Sequence, residues 1–408
     1  MKEYLENIYG KLLFTDIAVN GDIGWFCNIY FSSLFRIDLT SGVIKLETLL
    51  PEQSKCDFNQ YGPIALYGSK LVIAPRNGKY ILLYDITDQK IKQLEFDMKG
   101  FEQEDQRVNL FCGVQVIGNQ AVLIPGRYHA IIRINLDTEE LTYLEEWYEE
   151  IKQHTRDLEN LIFKKCYQSS EGDYLLPCVQ TNRIVRFDQS FNTYEVIVVN
   201  TALEEFSDII ELEEGYLVSD MSDMKIALVQ KNRHVKELNI EIPNMESERG
   251  IKCLMEGKDK IYLFPDYGNM IVEYDKANTF KKNRDILFHP LHEMEQVIFY
   301  RTNFLCCKKI NEHQAVICSL FDGKIMILDL NQDTWQVYDS VLPQQYSDFI
   351  TPIGKKNYFA YFRVEQGKGE LEDWFAYISG RESNYKNDFG SSNCTVGERI
   401  FKYLAGSE

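Results

Sequence analysis

The 408-residue sequence contains no apolar run near the roughly 20 residues that span a bilayer, so no membrane-spanning helix is expected. Its first residues, MKEYLENIYG, lack a basic region followed by an apolar one, and no secretory signal is expected. The ten cysteines include no Cys-x-x-Cys pair, and adjacent Cys306 and Cys307 are poorly spaced for a shared metal. They read as buried free thiols of a cytoplasmic protein in a reducing compartment. Gly-x-Ser-x-Gly, a phosphate-cradling glycine loop and His-Glu-x-x-His are all missing. The usual linear signatures of nucleophilic, nucleotide-hydrolysing and zinc-peptidase chemistry are therefore absent. Positive charge is short as well: 44 Lys and Arg against 62 Asp and Glu leave a net charge of −18. Such a field repels a phosphate backbone, and a nucleic-acid partner is not expected.

Aromatic residues are plentiful, with 25 Tyr and 24 Phe, which favours strands. The stretch KLVIAPRNGKYILLYDI, from Lys70, reads as two strands around a turn at Asn77-Gly78. Its runs alternate weakly between apolar and polar, so both faces of the hairpin need cover. The same pattern returns as QAVLIPGRYHAIIRINL from Gln120 and DYLLPCVQTNRIVRFD from Asp173. It recurs as GYLVSDMSDMKIALVQ from Gly215, KIYLFPDYGNMIVEYD from Lys260 and QAVICSLFDGKIMILDL from Gln314. Weaker copies lie near both ends of the chain.

Each hairpin follows a short segment that usually opens on an aromatic. These begin at Phe14, Tyr61, Phe111, Phe163, Phe206, Gly250, Phe304 and Phe349, at intervals of 47, 50, 52, 43, 44, 54 and 45 residues. Most copies add one more strand, such as KIKQLEF or TYEVIVV. A four-stranded antiparallel unit recurring every 40 to 50 residues or so is the mark of a propeller blade. The chain resembles the β-propeller repeat proteins, most closely divergent bacterial propellers. It has neither the paired glycines of kelch repeats nor the Trp-Asp of WD repeats; only an acidic residue recurs, as at Asp38, Asp85, Asp188, Asp275 and Asp329.

The expected fold is all-β: one propeller domain over residues 1–408 with eight four-stranded blades, the alternative being seven. Residues 2–9 are expected to close the ring by completing the last blade, leaving no free edge. Two helices are expected outside the repeat. One is a charged surface insertion at about residues 145–160. The other is a tail at 394–406, where Thr395 and Glu398 form a capping-box pattern.

In a propeller, the turns between second and third strands share a face with the links between blades. That face surrounds the channel mouth and is the usual ligand surface. The resemblance therefore places Arg76, Arg127, Tyr128, His129, Arg183, Asp220, Asp266 and Tyr267 there from turns, and Arg107 from a link. Arg76, Arg127 and Arg183 occupy equivalent turns of successive units and are expected to form one basic arc. His289 and His292, joined by His129, could bind a metal if their segment is helical, but Pro290 splits the motif, and no metal or cofactor is expected. The expected function is binding or scaffolding: a polar, aromatic-rich face for a protein, a peptide or an anionic saccharide-like ligand. The alternative is a lyase or hydrolase acting on an anionic saccharide or similar small molecule at the channel mouth, with His129 or the His289/His292 pair as base and Arg76, Arg127 and Arg183 neutralising charge.

Overall fold

The computed structural model describes residues 11–29, 32–51, 59–101, 109–155, 162–203, 205–222, 224–239, 250–266, 270–276, 282–287, 304–319 and 323–341, with Pro343 and Tyr346. Within them the chain forms seven four-stranded antiparallel sheets, each a simple meander. The blades span residues 18–49, 61–94, 111–144, 167–198, 206–239, 251–287 and 304–339. Blade 2 is typical, with strands Tyr61–Tyr67, Lys70–Pro75, Ile81–Asp85 and Lys90–Leu94. The hairpin expected from Lys70 is its second and third strands, paired from Lys70↔Asp85 to Ile73↔Leu82.

The recurrent acidic residue has a local task. It ends the third strand and folds the turn to the fourth. Asp38 Oδ1 accepts the Thr40 and Ser41 amides. Asp85 Oδ1 accepts those of Thr87 and Asp88, and Asp329 Oδ1 those of Asn331 and Gln332. Asn135 does the same in blade 3 with its amide oxygen. These are Asx turns, in which a short side chain replaces a backbone acceptor. The bond from the Thr40 hydroxyl and those from the amides lower the exposed Asp38 carboxyl to about 2.

Weak alternation has a direct explanation. In the second strand of blade 2, Leu71 and Ile73 pack towards blade 1 while Val72 and Ala74 pack towards blade 3. Both faces are interior, so both sets are apolar. Seven such clusters exist, one between each pair of neighbouring blades. The seventh corrects the expected blade number. Phe14, Phe26, Phe35 and Ile37 of blade 1 pack directly on Cys306, Val316, Cys318 and Ile325 of blade 7. An eighth blade would have to separate those two faces, so the ring has seven blades.

The expected N-terminal closing strand is also unnecessary. Blade 7 draws all four of its strands from residues 304–339. Among the described residues, the chain before blade 1 adds one isolated bridge from Lys11 to Val341, with the Leu12 amide donating to the Ser340 carbonyl at 2.6 Å. Residues 2–9, the unit from Phe349 and the tail at 394–406 lie outside the described residues.

The insertion after blade 3 contains α1 (Glu146–Lys152), shorter than expected and not merely a surface feature. Trp147, Tyr148 and Ile151 enter the cluster between blades 3 and 4, while Glu146 and Glu149 occupy its first turn. The Trp147 indole donates to the Leu144 carbonyl at 2.9 Å, so its polar atom is satisfied where it is buried. No helix among the described residues is long and apolar enough to cross a membrane.

A basic cluster at the candidate channel mouth

The first strands stand side by side around the axis. In five blades, pairing with the second strand slips immediately after the first strand's opening residue. Tyr61 opposes Pro75 and Ile64 opposes Ile73; Phe206 opposes Ser219's neighbour Asp220, and Asp208 opposes Ser219. Such bulges bend a strand and re-aim its side chains. The same register corrects the sixth unit: Ile251 opposes Pro265, so the unit opens on Ile251 and not Gly250. Lys252 is therefore equivalent to Ser207, and Cys253 to Asp208.

The position after the opening aromatic is Thr15, Gly62, Cys112, Lys164, Ser207, Lys252 and Leu305 around the ring. These residues reach towards neighbouring blades. Ser207 Oγ donates to the Ile251 carbonyl and Lys252 Nζ to the Phe304 carbonyl. Lys164 Nζ lies against Met221 Sδ of blade 5. A Cβ on Gly62 would stand 2.6 Å from Arg76 Cδ and 2.7 Å from Thr15 Oγ1. Arg76 thus lies inward over Gly62, and its Nε donates to Asn109 Oδ1 at 3.1 Å.

The next position builds the floor. Asp16 Oδ1 accepts its neighbour Ile17's amide, and Oδ2 accepts the Ile64 amide of the following blade at 3.0 Å. Asp208 repeats this with Ile209 and, at 2.8 Å, with Leu254 of its following blade. Each carboxylate also holds a lysine: Lys308 at 2.6 Å from Asp16 and Lys165 at 2.8 Å from Asp208. Lys165 lies just before blade 4 yet also reaches Cys253 Sγ of blade 6 and the Cys307 carbonyl of blade 7. It therefore lies across the lumen. Ion pairs thus line the lumen.

Lys164 and Lys165 are neighbours with opposite electrostatics. Lys165 is held above its ordinary value, because Asp208 and two cysteines outweigh its burial. Lys164 is pushed down to about 8, chiefly by burial, with Lys252 and Arg76 adding repulsion against the attraction of Asp266 and Glu205. Burial, opposed by Asp266, also lowers Lys252.

The sign of the resulting pH effect is fixed. Below about 8 both folded and unfolded chains keep the Lys164 proton, and folding bears the cost of burying the charge. Between about 8 and 10.5 only the unfolded chain keeps it, so stability rises with pH there. Lys164→Met is expected to stabilise the half-buried site by about 1–3 kcal/mol at neutral pH, with the gain fading as pH approaches the free-lysine range. Urea unfolding at neutral and alkaline pH measures this; equal stabilisation at both would contradict it.

The residues expected from sequence divide among several settings. Arg76 is at the mouth. Arg127 lies 5.8 Å from the Phe101 ring, next to His129. Arg183 lines a separate recess of about 230 Å³ with His154, Thr181 and Asn182. The three equivalent arginines thus differ in their immediate neighbours. Tyr128 is fully buried, its hydroxyl donating to the Asp97 carbonyl, and it offers no face to a ligand. His129 stacks on Tyr148 of α1 at 4.2 Å, and burial followed by Arg127, Lys99 and Lys152 lowers its pKa. Asp220 is 2% exposed and folds its own turn, accepting from Ser222 and Glu205. Asp266 is buried beside the mouth lysines. Arg107, Tyr267, His289 and His292 lie outside the described residues.

Sequence reasoning missed Lys164, Lys165, Lys252, Asp16 and the structural role of Asp208. The signal for two of them was present. Phe14-Thr15-Asp16-Ile17 and Phe206-Ser207-Asp208-Ile209 share one pattern, and they form the two equivalent clasps.

No family model matches the chain, and no curated protein matches it. Solved structures do. A streptogramin B lyase aligns with a TM-score of 0.55 at 13% identity, covering 81% of this chain and 95% of its own. YCF48, bound to D1 peptide, aligns at 0.52 and 13% identity, covering 78% and 93%. KlHsv2, with a loop replaced by a Gly-Ser linker, aligns at 0.52 and 9% identity, covering 81% and 99%. The likeness is one of fold. This chain is a β-propeller, and its blades carry a site that must be read from its own residues.

Proposed function

We propose that this propeller is a binding protein that takes a small anionic ligand, carrying a carboxylate or phosphate, in its channel mouth. One observation carries the reading: Arg76 and Lys252 both repel a charge on Lys164, so three cations neighbour one another at the candidate mouth of a chain whose net charge is −18. A recessed cluster opposite in sign to the molecule concentrates anions locally where the outer surface repels them. Arg76 supplies a planar donor fork and Lys252 a second cation. The Lys165 floor keeps the ligand shallow and small. The free thiols support a cytoplasmic setting. The lyase or hydrolase reading has less support, because one of its expected bases, His129, packs against α1.

Calorimetric titration with phosphate, sulfate, galacturonate and pyruvate tests the proposal. Binding of at least one is expected, weakening as salt rises. Arg76→Ala should reduce the affinity about tenfold, the scale of one charge-assisted contact, whereas Arg127→Ala and Arg183→Ala should leave it unchanged. Equal losses at all three arginines, or no binding of any probe, would overturn it.

A further inference from the structure

Two free cysteines meet across a blade boundary. Cys253 lies in the first strand of blade 6 and Cys307 in the first strand of blade 7, and both side chains pack into the cluster between those blades. Strand alternation turns the preceding residue, Cys306, to the opposite face, where it packs towards blade 1. Cys253 Sγ stands 3.9 Å from the Cys307 carbonyl oxygen. A single ammonium touches both residues: Lys165 Nζ donates to Cys253 Sγ at 2.6 Å and to the Cys307 carbonyl at 3.4 Å. Asp208, at 2.8 Å, keeps that ammonium in place. The two sulfurs differ in access, for Cys253 is 1% exposed and Cys307 is only partly buried.

We propose that Cys253 and Cys307 are a peroxide-responsive thiol pair that closes to a disulfide joining blade 6 to blade 7. This goes beyond the anion-binding reading and does not rest on it. Access assigns the roles. Cys307 is the sulfur that a peroxide reaches, and Cys253 is the resolving thiol behind it. An ammonium against a thiol favours its thiolate, the form that attacks in disulfide exchange. Burial and then the Cys307 side chain hold the Cys253 thiol well above its ordinary range, with Lys165 pulling the other way. The pair therefore rests as two thiols, and Cys253 attacks once an electrophilic sulfur stands beside it. Cys306 and Cys318 oppose each other directly within blade 7, but both are fully buried, and neither offers a sulfur to an oxidant.

The oxidant is the peroxide, and the step balances with it. The Cys307 sulfur attacks one peroxide oxygen, the O–O bond breaks, and a sulfenic acid and one water result. The Cys253 sulfur then attacks the Cys307 sulfur. An S–S bond forms as the S–O bond breaks, and the departing hydroxide takes the Cys253 thiol proton as a second water. Two thiols together lose two electrons and two protons, and one peroxide is reduced to two waters. The new bond closes a loop across 54 residues of chain. Such a crosslink removes freedom from the unfolded chain and raises stability. Where thiols are kept reduced, a disulfide of this kind is transient and reports oxidation.

The reduced full-length protein is treated with a stoichiometric amount of hydrogen peroxide, unfolded, alkylated, and read by intact mass and non-reducing peptide mapping. Loss of two alkylatable thiols and one linked peptide, Cys253 to Cys307, is expected. The oxidised protein should melt about 5 °C higher than the reduced one, and dithiothreitol should reverse the shift. Cys253→Ser should stop the reaction at a sulfenic acid on Cys307, trapped by dimedone. Cys307→Ser should give neither the link nor the shift. That partly exposed position keeps the test decisive if Cys253→Ser does not fold. A disulfide between any other two cysteines overturns the inference. So does a sulfenic acid that persists on Cys307 of the unaltered protein while Cys253 stays alkylatable, or a failure of both thiols to react.

Discussion

Asp208→Ala is expected to lower the stability of the ring by about 3–5 kcal/mol, the range for removing one partner of a buried charged pair. Asp208 is only 4% exposed. Its loss leaves Lys165 without the carboxylate that holds it across the lumen. It also leaves the Ile209 and Leu254 amides without their acceptor, and each buried amide left unpaired adds its own cost. Chemical denaturation followed by far-UV circular dichroism measures the change. The double variant Asp208→Ala, Lys165→Met should recover part of the loss, because the stranded charge goes with it. A single-variant loss below about 1 kcal/mol, the scale of an exposed pair, would show that the clasp is not a buried interaction. Asp16→Ala should cost less, since Asp16 and Lys308 are 14% and 35% exposed.

Phe26→Ala should destabilise on a similar scale, about 3–5 kcal/mol, typical of a fully buried phenylalanine. Phe26 has no exposed surface and stacks on Phe14, with ring centroids 4.4 Å apart, and on Phe35 at 5.9 Å. All three belong to the interface where blade 1 meets blade 7. Val337→Ala, at a side chain half exposed on blade 7's outer strand, should change stability by less than about 0.5 kcal/mol. Thermal and urea unfolding of both variants test the assignment. Similar small changes in the two would mean that blades 1 and 7 do not share a packed face.

Strand periodicity and turn chemistry are local, and they were legible. The Lys70 hairpin, the repeating four-strand unit and the acidic residue after the third strand all appeared where the sequence placed them. Blade number is a property of closure. Eight segments resemble a unit opening, yet whether a blade faces its neighbour or the first blade depends on contacts almost 300 residues apart. Within the site, polar turn residues could be recognised but not their directions. Tyr128 and Arg127 are consecutive, and one is wholly buried while the other lies over Phe101. Lys164 and Lys165 escaped notice because they sit in what reads as a core strand. Only the contacts of Lys165 with blades 5, 6 and 7 show that this segment borders a lumen, where a lysine can be kept.

Among the described residues, the seam between blades 1 and 7 is made by packed faces, a few hydrogen bonds and one isolated bridge, with no strand shared between the two ends of the ring. The Tyr338 hydroxyl donates to the Leu39 and Thr40 carbonyls across 299 and 298 residues of chain, and the Leu12 amide donates to the Ser340 carbonyl. During synthesis, blade 1 therefore emerges with one apolar face uncovered and keeps it so until blade 7 has left the ribosome. That long interval exposes aggregation-prone surface, and a contact of such high sequence separation forms late. It also means that the seam does not depend on where the chain is cut. Because each described sheet takes its four strands from one continuous stretch of sequence, a circular permutant opened between two blades would move the vulnerable face to a different neighbour without dismantling a described sheet.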